Sequence, residues 1–215
     1  MIPGMTAPLP ESAGLTDSPT GLSLATESTP ALWQTVAAEL VAAAASARHP
    51  LHLLTVATVD ASGAPHARTV VLRGFDAADR EVRFHTDIRS PKVKQIGVDG
   101  RVALHWYDPA RRLQIRIPAV AIIHHGDALA QAAWKASQPM SRACYTTGES
   151  PGSILETVPT APPPPATDDD RGLAAFAVIC CRFESIELLS LHASGHERIR
   201  LRLTGTEPIR EILAP

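Results

Sequence analysis

The chain has 215 residues, of which 45% are hydrophobic, and its 20 lysines and arginines against 22 aspartates and glutamates give a formal net charge of -2. Cations that alternate with carboxylates are atypical of a nucleic-acid-binding protein, so no nucleic-acid partner is expected. No apolar run reaches the length of about 20 residues that a membrane helix needs, and no secretory signal is recognisable, so no membrane partner is expected. The three cysteines, Cys144, Cys180 and Cys181, predict no disulfide framework and indicate a reducing, cytoplasmic setting.

The N-terminal segment differs in composition from the rest of the chain. Residues 1–29 are rich in Pro, Ser, Thr and Gly and lack an apolar period, so we expect a disordered tail there. Thr29-Pro30 is typical of a helix start, and His49-Pro50 predicts the end of that helix near Arg48. The helix has one apolar face at three-to-four spacing, formed by Leu32, Val36, Leu40 and Val41. Residues 30–215 are expected to form one domain.

From residue 51 the apolar period changes to two, and turn residues separate the segments. Strands are predicted over 52–59, 67–75, 82–86, 102–107 and 113–124, with short helices over 90–98 and 126–134. A Pro-rich stretch at about 146–172 predicts an insertion loop, a simpler interpretation than an SH3-type ligand. Further strands are predicted over 174–191, 198–203 and 209–213. Hairpin-joined strands without crossover helices close most easily as an antiparallel barrel, so the fold class is mainly β with flanking helices, a β-barrel.

Cations and hydroxyls gather at the ends of two predicted strands. Arg68 and Arg73 bound the segment Arg-Thr-Val-Val-Leu-Arg, Thr86 ends the next strand, and Ser90 and Lys92 open the following helix. Free N–H groups and the dipole at a helix start favour an anion, so the group predicts a phosphate site. Strand alternation points Arg68 and Arg73 to opposite faces, and both can serve one ligand only where the strand bends or frays.

In this order the residues resemble the FMN-binding split barrel of the pyridoxamine 5′-phosphate oxidase family, an antiparallel Greek-key barrel. The family's Arg-x-Val-Leu-Leu-Lys strand is similar to 68–73, its Tyr-Thr pair to 85–86, its Ser-Arg-Lys to 90–92 and its Arg-Gln-Val to 113–115. Pro91 replaces one phosphate-binding arginine, and Arg89 is a nearby candidate to substitute for it. The resemblance implies FMN as cofactor and assigns to it Arg68, Thr69, Val70, Val71, Arg73, His85, Thr86, Ser90, Lys92, Gln114 and Arg200.

The resemblance covers most of residues 51–215 and also implies a homodimer, because the family builds its flavin site across the subunit interface. The chain departs from the family at the substrate. Positions that hold the vitamin's phosphate in the true oxidase are Trp134, Gln138 and Ser141 here, and two of the three lack a phosphate-binding group. In the family, an arginine near the C-terminal end approaches the flavin. Arg200 is assigned to that role here with Arg198 as the alternative, and Arg198 is otherwise assigned to the substrate. Losing a charged partner costs several kcal/mol, so efficient oxidation of pyridoxamine 5′-phosphate is not expected.

The sequence therefore favours an FMN-dependent oxidoreductase with a small-molecule substrate, acting as a homodimer. The alternatives are a non-catalytic flavin, haem or F420 binding protein on the same barrel, and an empty barrel that serves only for dimerisation. Haem would need an axial ligand such as His85, His105 or His196.

No metal site is predicted from the remaining histidines. His124 and His125 are adjacent in a strand and point to opposite faces, so they cannot chelate one ion together. His192 and His196 have helical spacing, but Ser194-Gly195 between them indicates a turn. Cys144 has no recognisable histidine–acid partnership, and Cys180-Cys181 is interpreted as a buried thiol pair.

Overall fold

The computed structural model describes residue 24 and residues 27–158, 160, 170–192 and 195–215. Its helices are α1 Thr29–Ala45, α2 Pro91–Val98, α3 Ala128–Ala136 and α4 Pro139–Arg142. Its strands are β1 Leu53–Val59, β2 Pro65–Asp76, β3 Glu81–Asp87, β4 Arg101–Asp108, β5 Leu113–His124, β6 Phe176–Arg182, β7 Ser185–His192, β8 Gly195–Arg202 and β9 Ile209–Leu213. Single 3-10 turns lie at Pro50–His52, Ala143–Tyr145 and Leu173–Ala175. Among the helices of these ranges, none combines the length and apolar character needed to cross a bilayer.

Six antiparallel strands close a barrel in the order β4-β1-β2-β3-β6-β5, with β5 pairing back to β4. The predicted mainly β barrel with flanking helices is confirmed. Strands β7, β8 and β9 extend the sheet from β5, which changes partner along its length. Residues 113–116 of β5 pair with β7, and residues 120–124 pair with β6. Pro118 lies between these two stretches, where a residue without an N–H group interrupts neither ladder.

The strand predicted over 174–191 is wrong in one respect, because it is two strands. β6 pairs with β3 and β5, whereas β7 pairs with the other end of β5 and with β8. The chain turns at Phe183 and Glu184, whose backbone groups bond to Arg80 and Leu203. No glycine or proline marks this turn, so the sequence contained no local signal for it. The break is set by the partners that the two strands find in the sheet.

The core has two layers on the two faces of β6. Inside the barrel, a large apolar cluster includes Ile179 and Cys181 and takes up the inner face of α1. On the outer face, Phe176, Val178 and Cys180 pack against α3 around Trp134. Burial on both faces explains why β6 reads as a continuous apolar run rather than an alternating one. Val41, predicted on the buried face of α1, is 49% exposed, and Ala43 is buried in that helix instead.

Most of the predicted tail lies outside the described residues, which omit 1–23 and 25–26. The Pro-rich loop is described except for residue 159 and residues 161–169. The end of the tail differs from the expectation of disorder. Leu24 is fully buried, and its N–H group donates to the Glu197 carboxylate at 3.1 Å. The Arg210 guanidinium donates to the carbonyl groups of Leu24 and Glu27, both at 2.9 Å. These contacts bind the segment before α1 to β8 and β9.

Candidate functional site

Arg68 is held at the end of the barrel by polar groups of β1 and α2. Its guanidinium donates to the Thr58 hydroxyl at 2.7 Å, to the Gln95 side-chain oxygen at 3.0 Å and to the Val56 carbonyl at 3.2 Å. Thr58 itself donates to Gln95 at 2.6 Å, and both side chains are buried. Thr58 and Gln95 were not predicted from the sequence. The available signal was a glutamine on the buried face of a short helix, one turn after Lys92.

Lys92 lies beside Arg68 and contacts two hydroxyls. Its Nζ atom is 3.0 Å from the Thr86 hydroxyl and 3.3 Å from the Ser90 hydroxyl, which are 3.2 Å from each other. Ser90 is the N-cap of α2 but makes no side-chain capping bond, so its hydroxyl stays with Lys92. Burial, and then the nearby charge of Arg68, lower the pKa of Lys92. We call Arg68, Thr86, Ser90 and Lys92 the two-cation cluster.

The two-cation cluster lacks a bonded counter-charge. In the part of the chain that the structure describes, neither Arg68 nor Lys92 forms an ion pair with a carboxylate. Asp87 is the nearest acidic influence on Lys92, but its carboxylate binds Arg89 at 2.7 Å. Two partly buried cations held together without a carboxylate form a favourable site for an anion.

Arg89 does not take the place of the missing phosphate arginine in this arrangement, which corrects that suggestion. It binds the buried Asp87 carboxylate through two nitrogens. It also donates to the carbonyl groups of Thr147 and Gly148 at 3.1 and 3.0 Å. Arg89 therefore ties the segment after α4 to the end of β3, and its donors are committed to the protein.

Arg73 sits at an irregularity of β2. The register with β3 shifts between Leu72 and Gly74, which pair with Phe84 and Arg83, so Arg73 is the extra residue of a bulge. Bulges re-aim a side chain out of the normal alternation. The Arg73 guanidinium is exposed and lines a cleft of about 800 Å³ together with Val71, His85, Gln138 and Ser141. We call this the Arg73 cleft. The bend that the sequence analysis required is present, and it places Arg68 and Arg73 in two neighbouring groups.

His85 stands between the barrel and the Arg73 cleft. Its ring packs edge-on against Phe176 with the centroids 4.8 Å apart. Burial, and then the charge of Arg73, lower the pKa of His85 to about 4. The imidazole is therefore neutral at pH 7 and presents no second positive charge to the cleft.

The low pKa of His85 predicts loss of stability in mild acid. Between the ordinary value of 6.5 and about 4, the unfolded chain binds a proton at this residue and the folded chain does not. The free energy of unfolding therefore falls as the pH drops through this window. We expect His85→Gln to show a smaller fall than the unmodified protein when urea unfolding is followed from pH 7 to pH 4.5. His66→Gln, at an exposed histidine paired with Asp60, is the control for general effects of histidine removal.

Trp134, assigned to the substrate, is buried and does not line the Arg73 cleft. The side chain is 1% exposed, and its N–H group donates to the Asp170 carboxylate at 2.7 Å. Its ring packs against Phe176 and Tyr145, with the Arg142 guanidinium 5.1 Å from its centre. Trp134 thus supports the wall of the Arg73 cleft from behind. The alanines of α3 form the lining in its place.

The valines and the threonine of the predicted FMN strand have different surroundings. Val70 packs against the barrel core, whereas Val71 lines the Arg73 cleft. Thr69 is exposed between them. Direct side-chain contact with one ligand is therefore available to Val71 but not to Val70, whose contribution is limited to its backbone.

Gln114, Arg198 and Arg200 lie in a second group on β5 and β8. The Gln114 side-chain oxygen is 3.2 Å from the His105 ring, and both arginines bond to the Glu187 carboxylate. No hydrogen bond or ion pair within the described ranges connects this second group to the two-cation cluster or to the Arg73 cleft. One copy of the chain therefore divides the predicted site residues into two separate sets.

A family model described as "Pyridoxamine 5'-phosphate oxidase, FMN-binding domain" matches residues 30–125. A pyridoxine/pyridoxamine 5′-phosphate oxidase of Pseudomonas paraeruginosa is 41% identical over 64 residues, which cover 30% of this chain and 29% of the relative. The chain thus spans less than a third of that relative's length at this level of identity. A protein of the same name from Pseudomonas syringae pv. tomato is 29% identical over 174 residues, covering 75% of this chain and 77% of the relative.

Solved structures share the architecture over a longer range. A pyridoxamine 5′-phosphate oxidase-related, FMN-binding protein of Nostoc punctiforme superimposes with a TM-score of 0.70 at 25% identity, covering 85% of this chain and 97% of that one. PhzG of Burkholderia lata, in complex with tetrahydrophenazine-1-carboxylic acid, has a TM-score of 0.63 at 19% identity, covering 85% of this chain and 92% of its own. The second likeness concerns the fold alone.

Proposed function

The chain belongs to the pyridoxamine 5′-phosphate oxidase-like family of FMN-binding split barrels, and from this premise we propose that it is an FMN-dependent oxidoreductase of a small molecule. The observation that carries the proposal is the two-cation cluster. A phosphate monoester brings close to two negative charges and three acceptor oxygens. Arg68 and Lys92 supply two positive charges without a bonded carboxylate, and Thr86 and Ser90 add hydroxyl donors.

The donor set fits the phosphate of FMN better than it fits a metal or a neutral ligand. The two cations repel a metal ion, and a neutral ligand would leave the repulsion between Arg68 and Lys92 uncompensated. Gln95 and Thr58 accept from Arg68 and so fix the direction in which the remaining guanidinium donors point. The chain would therefore hold the phosphate end through Arg68, positioned by Thr58 and Gln95, and through the Lys92 ammonium beside two hydroxyls.

The residues of this chain would bind and orient, while FMN supplies a ring that accepts and returns a hydride. Arg73, at the bulge, would stabilise negative charge beside the ring or on the substrate. Gln114 would donate to the ring edge, and Arg200 would add a second positive charge there. His85, neutral at pH 7, would neither add a positive charge that attracts the anion nor act as a proton donor to it.

We also propose that the complete site needs a second copy of the chain. Gln114 and Arg200 belong to the second group, which no hydrogen bond or ion pair of the described residues joins to the two-cation cluster. A homodimer that places the second group of one copy against the cluster of the other would complete the site. Mixing Lys92→Ala and Arg200→Ala protomers tests this, because a mixed dimer has one intact site and should partly recover the flavin binding that each variant alone has lost.

The direct test is the visible absorption spectrum of the purified protein before and after FMN is added and the excess removed. A retained flavin band supports the proposal, and its reduction by a small-molecule donor supports the oxidoreductase activity. A Soret band would move the assignment to haem. Retention of F420 with no retention of FMN would move it to a deazaflavin protein. Absence of every chromophore would contradict cofactor binding and favour the barrel as a dimerisation module.

FMN affinity should fall as the pH rises above neutral. Burial and the nearby charge of Arg68 lower the pKa of Lys92 from its ordinary 10.5, so its charge is lost at a lower pH than that of an ordinary lysine. The phosphate stays dianionic over the same range, since its second pKa is about 6. Titration of FMN between pH 7 and pH 9.5 should show weakening with pH. Lys92→Arg should remove most of this dependence, because a guanidinium does not titrate in this range.

A further inference from the structure

Among the described residues, the Arg73 cleft contains one unpaired positive charge, whereas the two-cation cluster contains two. Its lining contains two arginines, Arg73 and Arg83, but Arg83 binds the buried Glu81 carboxylate at 2.6 Å. Arg73 makes no hydrogen bond or ion pair within the described ranges, so its guanidinium is the uncompensated arginine charge of the cleft. A cleft with one free guanidinium matches a ligand with a single negative charge.

The other polar groups of the cleft are neutral or committed to the protein. His85 is uncharged at pH 7, and the His52 ring bonds to the Ala43 carbonyl at 2.7 Å. Gln138, Ser137 and Ser141 offer an amide and hydroxyls but no charge. Next to Arg73, such neutral donors suit the two oxygens of a carboxylate, which a guanidinium binds through two parallel bonds.

The rest of the lining is apolar and smooth. It is formed by alanines at the end of α1 and just after it, by one leucine and three alanines of α3, and by two valines of the barrel wall: Ala44, Ala45, Ala47, Leu129, Ala132, Ala133, Ala136, Val71 and Val178. Alanine walls leave room for a flat or bulky apolar body, and a volume of about 800 Å³ is within the range of small-molecule sites.

From this juxtaposition we infer that the Arg73 cleft is the substrate site and that it selects a small apolar molecule carrying one carboxylate. Arg73 binds the carboxylate, and the uncharged Gln138 disfavours a phosphate dianion. The inference rests on the proposed function, because it places the substrate of that reaction. A phosphate dianion in this cleft would have one free cation where the two-cation cluster offers two. An arginine at position 138 would supply the missing charge.

The test compares three matched probes by calorimetry on the FMN-loaded protein: 1-naphthoate, 1-naphthyl phosphate and the uncharged 1-naphthamide. We expect 1-naphthoate to bind at least tenfold more tightly than either of the others. Arg73→Gln should weaken 1-naphthoate binding by about 10- to 100-fold and leave 1-naphthamide unchanged. Arg101→Gln, at an arginine on the surface paired with Asp99, is the control and should change neither.

The reverse exchange tests the role of Gln138. Gln138→Arg should bring 1-naphthyl phosphate to at least the affinity of 1-naphthoate, since the cleft then holds two free cations. Equal binding of all three probes to the FMN-loaded protein would overturn the inference and leave the cofactor assignment intact. If FMN itself is not retained, the proposed function fails. The same three probes on the FMN-free protein then decide whether the cleft still prefers the carboxylate, and no preference there overturns the inference as well.

Discussion

Replacing either cation of the two-cation cluster with alanine should weaken FMN binding by roughly 30- to 150-fold, which corresponds to about 2 to 3 kcal/mol. Arg68→Ala removes the guanidinium that Thr58 and Gln95 orient, and it leaves the two acceptors without their shared partner. Lys92→Ala removes the ammonium between the hydroxyls of Thr86 and Ser90. The measurement is the dissociation constant of FMN, followed through quenching of flavin fluorescence at fixed salt.

The same helix provides a matched control for Lys92. Lys94 is exposed on α2, two residues further on, and Lys94→Ala changes the net charge by the same amount without touching the cluster. Its affinity for FMN should remain within about twofold of the unmodified value, because a distant exposed charge is screened. Equal losses in Lys92→Ala and Lys94→Ala would show that only the overall charge matters and would remove the cluster from the site. Unchanged affinity in both Arg68→Ala and Lys92→Ala would do the same.

Trp106→Ala should lower the free energy of unfolding by about 3 to 5 kcal/mol, the largest stability effect that we expect from a single substitution here. Trp106 is 1% exposed inside the barrel, and its N–H group donates to the Leu51 carbonyl at 2.9 Å. The substitution leaves a large cavity and an unsatisfied carbonyl. Because Leu51 lies in the short turn between α1 and β1, the change also loosens the support of the α1 wall of the Arg73 cleft. Urea unfolding followed by circular dichroism measures the loss.

Two further substitutions separate the causes. Trp106→Phe keeps an aromatic ring in the barrel but removes the N–H group and part of the indole volume, so it should cost about 1 to 3 kcal/mol and less than Trp106→Ala. Tyr107→Ala, at the next position on β4, removes an aromatic side chain that is 46% exposed and should cost less than Trp106→Ala. A loss in Tyr107→Ala as large as that in Trp106→Ala would contradict the inward packing of Trp106.

Much of the barrel and of the two-cation cluster could be predicted because both depend on local patterns. The period of two and the turn residues locate β1 to β5 within a few residues of their observed ends. Arg68, Thr86, Ser90 and Lys92 lie at the ends of adjoining elements, so closing the barrel brings them together without further information. The assignment of these residues to FMN stays a prediction that the binding experiments test.

Other features depended on contacts between residues far apart in the chain. Arg89 donates hydrogen bonds to the carbonyl groups of residues 147 and 148, which lie 58 and 59 positions further along the chain. No local sequence pattern predicts such a contact. The burial of Trp134 behind the cleft depends on Asp170, near the end of the Pro-rich stretch, and on Phe176, which follows that stretch. A sequence pattern shows that a side chain is apolar or charged, but it does not show which partner satisfies it.

The sequence by itself determined the fold class, the positions of most strands and the order of the cations and hydroxyls, since backbone propensity and side-chain alternation act over a few residues. Only the tertiary structure decided the bulge at Arg73, which lines a cleft, the break between β6 and β7, and the bonding of Gln114 and Arg200 to His105 and Glu187. These features arise where strands compete for partners in a closed sheet. The packing of the whole barrel decides which strands pair, and no short segment of the chain carries that information.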